Sequence, residues 1–274
     1  MTVPAWRRAA LSVAMILLAC LIAVPLYYVV VNTFKTQGEM VASPLSLPTS
    51  PVLDNYREVL SDPRMYRSFA NTLYVTVVSV VLQLLVGALA AYAMVVRTSR
   101  LNRILANLLL IGFVVPGQST LIPLYRTLVG FELVDTLNGL VVMYLGGAIF
   151  CYFLVQGYMR TLPFEVIEAA RIDGAHDWQI FWHVVLPLIK PILVTVGIFQ
   201  SMWVWNDFLL PTVFISSPDK RTVVLQVYNA VTEFTTNWPM FMTVSVIALV
   251  PMIIFFVATQ RHIASGLLAG SVKG

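Results

Sequence analysis

The sequence predicts an all-α membrane protein of six transmembrane helices, and three observations carry that expectation. Of its 274 residues, 59% are of the AVILMFWYC types and only 11% are charged, against roughly 45–50% and about 25% in a soluble domain. The apolar residues fall into six stretches, each near the ~20 residues that a helix needs to cross a ~30 Å hydrocarbon core. The intervening loops are shorter than a soluble domain of ~50 residues, so residues 1–274 are expected to form one transmembrane domain.

The expected spans are 9–31, 68–96, 104–125, 138–159, 191–213 and 240–258. The first follows Arg7 and Arg8, is too long for a signal-peptide core and lacks a small-x-small cleavage site, so it is expected to be a retained helix. In segment 43–63, Pro44, Pro48, Pro51 and Pro63 bracket a short helix, Asp54 to Leu60, that reads as an ordered cap. Span two carries Thr72, Thr76, Ser79 and Gln83 on one helical stripe that continues into Gly87 and Ala91. Such a stripe either glues helices together or lines a pathway. Halfway along span three, Pro116-Gly117-Gln118 removes a backbone hydrogen bond where lipid cannot replace it, so a kink facing protein or a cavity is expected.

Span five places Phe199, Gln200, Trp203, Asn206 and Asp207 close to one face. Aromatic and polar groups together suit a sugar, which offers apolar C–H faces and hydroxyls; the other reading is that Asn206 and Asp207 anchor the helix end. An intramembrane acid is a functional candidate by default, and Asp207 fits either a gate or an anchor. The candidate pathway residues are thus Gln83, Gln118, Gln200, Trp203, Asn206 and Asp207. Cys20 and Cys151 lie inside apolar stretches without ligand spacing and read as small buried hydrophobes.

Six spans put both termini on one side, and charge selects it. The termini, residues 97–103 and residues 160–190 hold ten Lys/Arg against four acids; the opposite loops hold seven against eight. Orientation follows Lys and Arg, and the compact Arg97, Arg100, Arg103 loop strengthens the bias, so both termini are expected in the cytoplasm.

Loop 161–190 carries most information. Pro163 suits the first turn of a helix, Glu165 and Glu168 favour its N-terminal half, Arg171 is placed to pair with Glu168, and Gly174 suits a left-handed C-terminal cap. A second helix is expected from Asp177 as N-cap, with Trp178, Phe181, Trp182 and Val185 as its apolar stripe, ending where Pro187 breaks it. Segment 161–190 has four acids against Arg171 and Lys190. Interfacial helices are rich in Lys and Arg, so a protein partner suits this hairpin better than an anionic leaflet.

Glu168, Ala169, Ala170, Gly174 and, beyond them, Val184-x-Leu186-Pro187 resemble the EAA loop of ABC importer permeases, with Val184 in place of the commoner Ile. Asp173-Gly174-Ala175, Trp205-Asn206-Asp207-Phe208 and the terminal Gly270-Ser271-Val272-Lys273-Gly274 resemble the smaller permease subunit of maltose-type carbohydrate importers, with Ser271 in place of the usual Ala. Asp54-Asn55-Tyr56, Asn71-Thr72 and Phe131-x-x-Val134-Asp135-Thr136 extend the similarity over most of the chain. The resemblance implies the type I importer permease fold in a bacterial inner membrane, carrying a sugar or related polyol. It also implies four kinds of partner: a homologous second permease, two copies of an ATPase subunit that bind ATP and Mg, an extracytoplasmic solute-binding protein, and the lipid bilayer. On that carry-over Glu168, Ala169, Ala170, Asp173, Gly174, Leu186, Pro187, Lys273 and Gly274 are coupling residues.

Independently of resemblance, the chain lacks Gly-x-x-x-x-Gly-Lys-[Ser/Thr], so ATP hydrolysis is expected on another subunit and no catalytic residue is assigned. His176, His183 and His262 show no metal spacing and read as structural or solvated. No nucleic-acid partner is expected. An ion-coupled transporter acting alone is the alternative, but that class often shows repeated halves and membrane acids; here there is no repeat and one candidate acid. A membrane hydrolase would need a nucleophile and base, or His-Glu-x-x-His, and neither pattern occurs.

Overall fold

The structure is a computed structural model that describes residues 5–97, 99–233 and 237–269, with residues 5, 231–233 and 263–269 described by backbone alone. Its described residues form helices and turns with no strand. In chain order these are α1 (Ala5–Asn32), α2 (Gln37–Ala42), α3 (Asp54–Ser61) and α4 (Pro63–Val96). Next come α5 (Arg100–Val114), a 3-10 turn at Gly117–Thr120, and α6 (Leu121–Gly130). A further span is α7 (Leu137–Tyr144), a 3-10 turn at Leu145–Gly147, and α8 (Ala148–Met159). Then follow α9 (Glu165–Ile172), α10 (Asp177–Ile180), a π turn at Phe181–Val185, α11 (Leu186–Asn206), α12 (Leu209–Phe214), α13 (Val223–Glu233) and α14 (Trp238–Ala269).

Five helical stretches are long and apolar enough to cross a bilayer, and the α5–α6 pair makes a sixth if it counts as one span. That pair is bent by 95° at Val115 and Pro116, as the missing proline N–H predicts. The hydroxyls of Ser119 and Thr120 donate to the carbonyls of Pro116 and Gly117, each at 2.7 Å, so the break supplies its own hydrogen bonds.

Span five departs from its expected limits. Residues 177–206 run as one continuous helical stretch, and Pro187 does not end it. Without an N–H, Pro187 cannot bond the carbonyl of His183, and the backbone answers by widening: the N–H of Leu186 reaches back to Phe181 in a π turn. The helix stops instead at Asn206, where Asp207 turns extended.

The chain forms two compact units. One comprises Met1–Tyr66 and Gln226–Pro251. Here residues 6–27 of α1 are exposed throughout, and Cys20 with them, which corrects its expected burial. Lipid solvates apolar side chains as well as a core does, so such a helix needs no cover from its own chain. Beyond α1 the chain is tied down by polar contacts. Asn55 Nδ2 donates to the carbonyls of Thr33 and Lys35 at 2.8 and 3.2 Å, and Thr33 Oγ1 lies 2.8 Å from Tyr56 OH. Lys35, fully buried, donates from Nζ to the carbonyl of Ser43 at 2.8 Å, which closes α2. The N–H and hydroxyl of Thr49 hold the Glu39 carboxyl below its ordinary pKa. The cap expected at 43–63 is ordered, with its helix one residue longer than predicted.

The second unit comprises Arg67–Leu225 and Met252–Gly274. Its apolar side chains form two clusters along the spans. One gathers Ala88, Tyr92, Cys151, Val155, Phe181 and Ile189; the other gathers Val75, Leu140, Val141, Val204 and Phe214. Gly87 sits where α4 meets α8: a Cβ there would lie 2.6 Å from Cys151 Cβ and 2.8 Å from the Ala148 carbonyl. Glycine therefore lets the two backbones approach.

Candidate functional site

Helix α9 and its turn form a closed local unit. Gly174 takes a left-handed φ of +83°. Its N–H bonds the carbonyl of Arg171, and the N–H of Ala175 bonds that of Ala170, both at 3.0 Å. This pair of bonds is the Schellman cap that the glycine predicted. Helix α10 then starts from His176, not Asp177, as N-cap, with the His176 N–H bonded to Gln179 Oε1 at 3.0 Å.

The Asp177 carboxylate is thereby released for another task. It bonds Arg97 at the end of α4 and Arg171 of α9, the latter at 3.5 Å, while Tyr92 OH donates to the Asp177 carbonyl at 3.1 Å. Arg171 thus pairs across the turn with Asp177 where Glu168 was expected. Asp177 ties the hairpin to the membrane helices through the compact arginine loop.

One side of the hairpin is sealed and the other is bare. Ile167, Ile180 and Phe181 are buried, and Ala170 packs against the same cluster. Glu168, Ala169, Asp173 and Gly174 are exposed, as are Ile172 at 86% and Trp178 at 62%. Leu186 packs on the apolar cluster behind, and Pro187 is exposed. His183 Nδ1 lies 3.0 Å from the Gln179 carbonyl, and His262 Nε2 accepts from Arg261 Nε at 3.2 Å. Lys273 and Gly274 lie outside the described residues.

The polar residues of the spans divide into two groups. Thr72, Thr76, Ser79 and Gln83 are all buried. Gln83 Nε2 donates to the Tyr144 carbonyl at 2.7 Å, and Gln200 Nε2 donates to the Gly147 carbonyl at 2.8 Å. Both acceptors flank or belong to the 3-10 turn between α7 and α8. Two glutamines, from α4 and α11, thus cover carbonyls at a break in a helix between them, a need that lipid cannot meet. Nothing in the sequence of 145–147 announced that break beyond its two glycines.

The outward group is different. Trp203 is 72% exposed, and Phe199 and Asn206 share its stripe at i, i+4 and i+7, so the expected single face is two, with Gln200 on the inner one. Gln118, on the turn after the α5 bend, is exposed. Asp207 accepts from Tyr144 OH at 2.7 Å and from the Leu209 N–H at 2.9 Å, joining α7 to the start of α12. Asn206 bonds back to the Met202 carbonyl at 2.8 Å.

A third cluster, unassigned from the sequence, gathers at the other end of this unit. Asp135 accepts from the N–H groups of Ser216 and Ser217 at 2.9 Å each, from the Ser217 hydroxyl, and from Lys220 Nζ at 3.3 Å. Partial burial pushes its pKa up, but these bonds outweigh it and hold the carboxyl well below the usual range. Asn71 Nδ2 donates to the carbonyls of Asp219 and Arg221 at 2.9 and 3.0 Å. Loops expected on one side of the membrane therefore meet at one end, as Arg97, Arg171 and Asp177 do at the other.

The family described as binding-protein-dependent transport system inner membrane component matches residues 83–268, a stretch that contains the hairpin, the first apolar cluster and most of the second. The chain belongs to that family. This permease chain is 35% identical over 94% of its length, and 94% of the relative's, to a permease protein of Thermoanaerobacterium thermosulfurigenes named for a starch degradation products transport system. It is 31% identical over 97% of its length, and 90% of the relative's, to a diacetylchitobiose uptake system permease protein of Streptomyces coelicolor. A solved bacterial ABC transporter chain, from a system importing the acidic polysaccharide alginate, superposes with a TM-score of 0.81 at 25% identity, covering 95% of this chain and 99% of that one. The permease is a multi-pass inner-membrane transport component with the type I importer fold. The ion-coupled transporter acting alone is set aside.

Proposed function

We propose that this permease is the smaller membrane subunit of an ATP-driven importer for an oligosaccharide or related polyol, and that the whole chain works as one translocation domain. Its expected partners are a homologous permease, two ATPase subunits that bind ATP and Mg, and an extracytoplasmic solute-binding protein. The observation that carries this reading is the α9 hairpin: rigidly capped, tied by Asp177 to α4, sealed against the spans on one side and bare on the other. Such a lever transmits force only if something grips its bare side.

Glu168, Ala169, Asp173 and Gly174 supply that grip from the exposed side, while Ala170 holds α9 against the spans. The small side chain of Ala169 permits close approach of the ATPase, that of Ala170 close approach of α9 to the spans, and Glu168 offers a charge to the ATPase cleft. Motion then passes through Leu186 and Pro187 into α11, because α10, the π turn and α11 are one helical stretch. Lys273 and Gly274 would add contacts from the tail. The substrate class is supported by the carbohydrate names of the relatives and by the exposed Trp203 stripe, whose ring offers the apolar surface a sugar ring stacks on.

Uptake, ATPase association and membrane insertion measured together test this assignment. Glu168→Lys should leave the permease inserted while reducing uptake and ATPase association. Gly174→Leu forces a side chain into left-handed backbone at a cost of about 1–2 kcal/mol and should do the same. Normal association and uptake in both variants would remove the coupling role.

A further inference from the structure

On the first unit, at the end that carries α3, lies a cavity of about 250 Å³ that no coupling or pathway residue lines. Its wall is apolar, made by Val59, Met65, Met240 and Val244, all buried. Its rim is polar. Asp62 is held there by Arg64, whose Nε bonds the two carboxylate oxygens at 3.1 and 2.9 Å. Glu58 and Ser61, on exposed positions of α3, complete the rim.

Gln226, the first residue of the second segment of this unit, also lines the cavity. It is only 6% exposed, and its amide makes no hydrogen bond among the described residues. A buried amide brings two N–H donors and an acceptor oxygen, and buried polar groups in folded proteins find partners. Because Gln226 lines the cavity, a group seated there is placed to be that partner.

We propose that this cavity is an outer subsite for one ring of a saccharide, an inference that rests on the carbohydrate reading above. The chemistry selects the ligand. A sugar hydroxyl donates and accepts at once, so one ring can accept from the Gln226 N–H groups and donate to Glu58 or Asp62. A lysine or arginine from a docking protein only donates, and would leave those N–H groups unsatisfied. The apolar wall suits the C–H face of the same ring. The volume lies just under the ~300–1,000 Å³ of pockets that hold drug-sized ligands, which fits a single ring and not an entire oligosaccharide. The charge distribution places α3 outside, so the subsite lies where substrate arrives.

The test uses the assembled transporter in whole cells, with Cys20 and Cys151 replaced and Ser61→Cys introduced as a reporter at the rim. Labelling by an impermeant maleimide is timed with and without maltotriose or diacetylchitobiose, alongside ATP-dependent uptake of the same sugars. A sugar that is taken up should slow labelling about tenfold at ten times its dissociation constant, by mass action. Gln226→Leu, and independently Met240→Phe to fill the cavity, should abolish that protection and raise the uptake Km. Undiminished labelling beside normal uptake would overturn the subsite and leave the transport reading standing. Protection by sugar-free binding protein alone would overturn it in favour of protein docking. Absence of uptake for both sugars and for other saccharides would overturn the carbohydrate reading, and the subsite with it.

Discussion

At Gly147 a single hydrogen atom decides whether two glutamines can reach their carbonyls. A Cβ at this position would lie 2.5 Å from Gln200 Nε2 and 2.8 Å from Gln83 Cδ, whereas one at the neighbouring Gly146 would meet nothing within 4 Å. The glutamine ends are flexible, but moving them breaks the bonds to Tyr144 and Gly147. An unsatisfied buried polar group costs about 1–3 kcal/mol. Gly147→Ala should therefore lower the thermal midpoint of the detergent-solubilised complex by several degrees, while Gly146→Ala leaves it within a degree or so. Equal midpoints for the two variants would mean that the glutamine bonds contribute nothing. The same residues show how chemistry and position part company. Gln83 and Gln200 look like pathway residues in the sequence because amides are rare in spans, yet the fold uses their N–H groups on a helix break.

Among the elements, the turn between α6 and α7 is held by charge. Glu132 and Asp135 adopt positive φ of 56° and 57°, which non-glycine residues enter at a cost. Asp135 offsets it by gathering Ser216, Ser217 and Lys220, and Thr136 caps α7 through Oγ1 to the Gly139 N–H at 2.9 Å. Because the folded pKa of Asp135 is depressed, these bonds contribute fully above the unfolded carboxyl pKa of about 3.9 and are lost only as pH falls below it toward the folded value. Cleavage of segment 216–222 by an acid-tolerant protease should accordingly stay slow from neutral pH to about 4 and rise below it. Asp135→Ala should speed it above pH ~4, by about 1–2 kcal/mol of local opening given the partly solvated site, and the gap from the parent protein should close as pH falls further. A flat pH profile in the parent protein would count against the carboxylate as the clasp. The π turn is the corresponding device at the other end. Pro187 ought to end a helix, and instead it widens one, which keeps the coupling hairpin continuous with α11.

For the whole molecule, topology is the quantity to test. The Lys and Arg distribution puts Ser50 and Asp219 outside and Asp173 inside, and all three positions are exposed. Single cysteines at these sites, in a background without Cys20 and Cys151, should react with an impermeant thiol reagent in sealed cells at 50 and 219 but not at 173. External labelling at 173 would reverse the orientation, and would carry the coupling hairpin and the outer subsite to the wrong sides.

The sequence by itself determined the six apolar stretches, the bend at Pro116, the α9–glycine–α10 order and the family. Each of these follows from local chemistry: apolar length against bilayer thickness, a missing N–H, a left-handed residue at a helix end, and a motif of fixed spacing. Only the tertiary structure decided what each polar group does. Asp177 ties Arg97 to Arg171, Asp135 clasps a loop more than 80 residues away, and Gln200 turns inward while Trp203 turns out. Such partners are set by which backbone groups a break leaves unpaired and by which helix stands opposite. That information lies between distant segments, where no local period or motif records it.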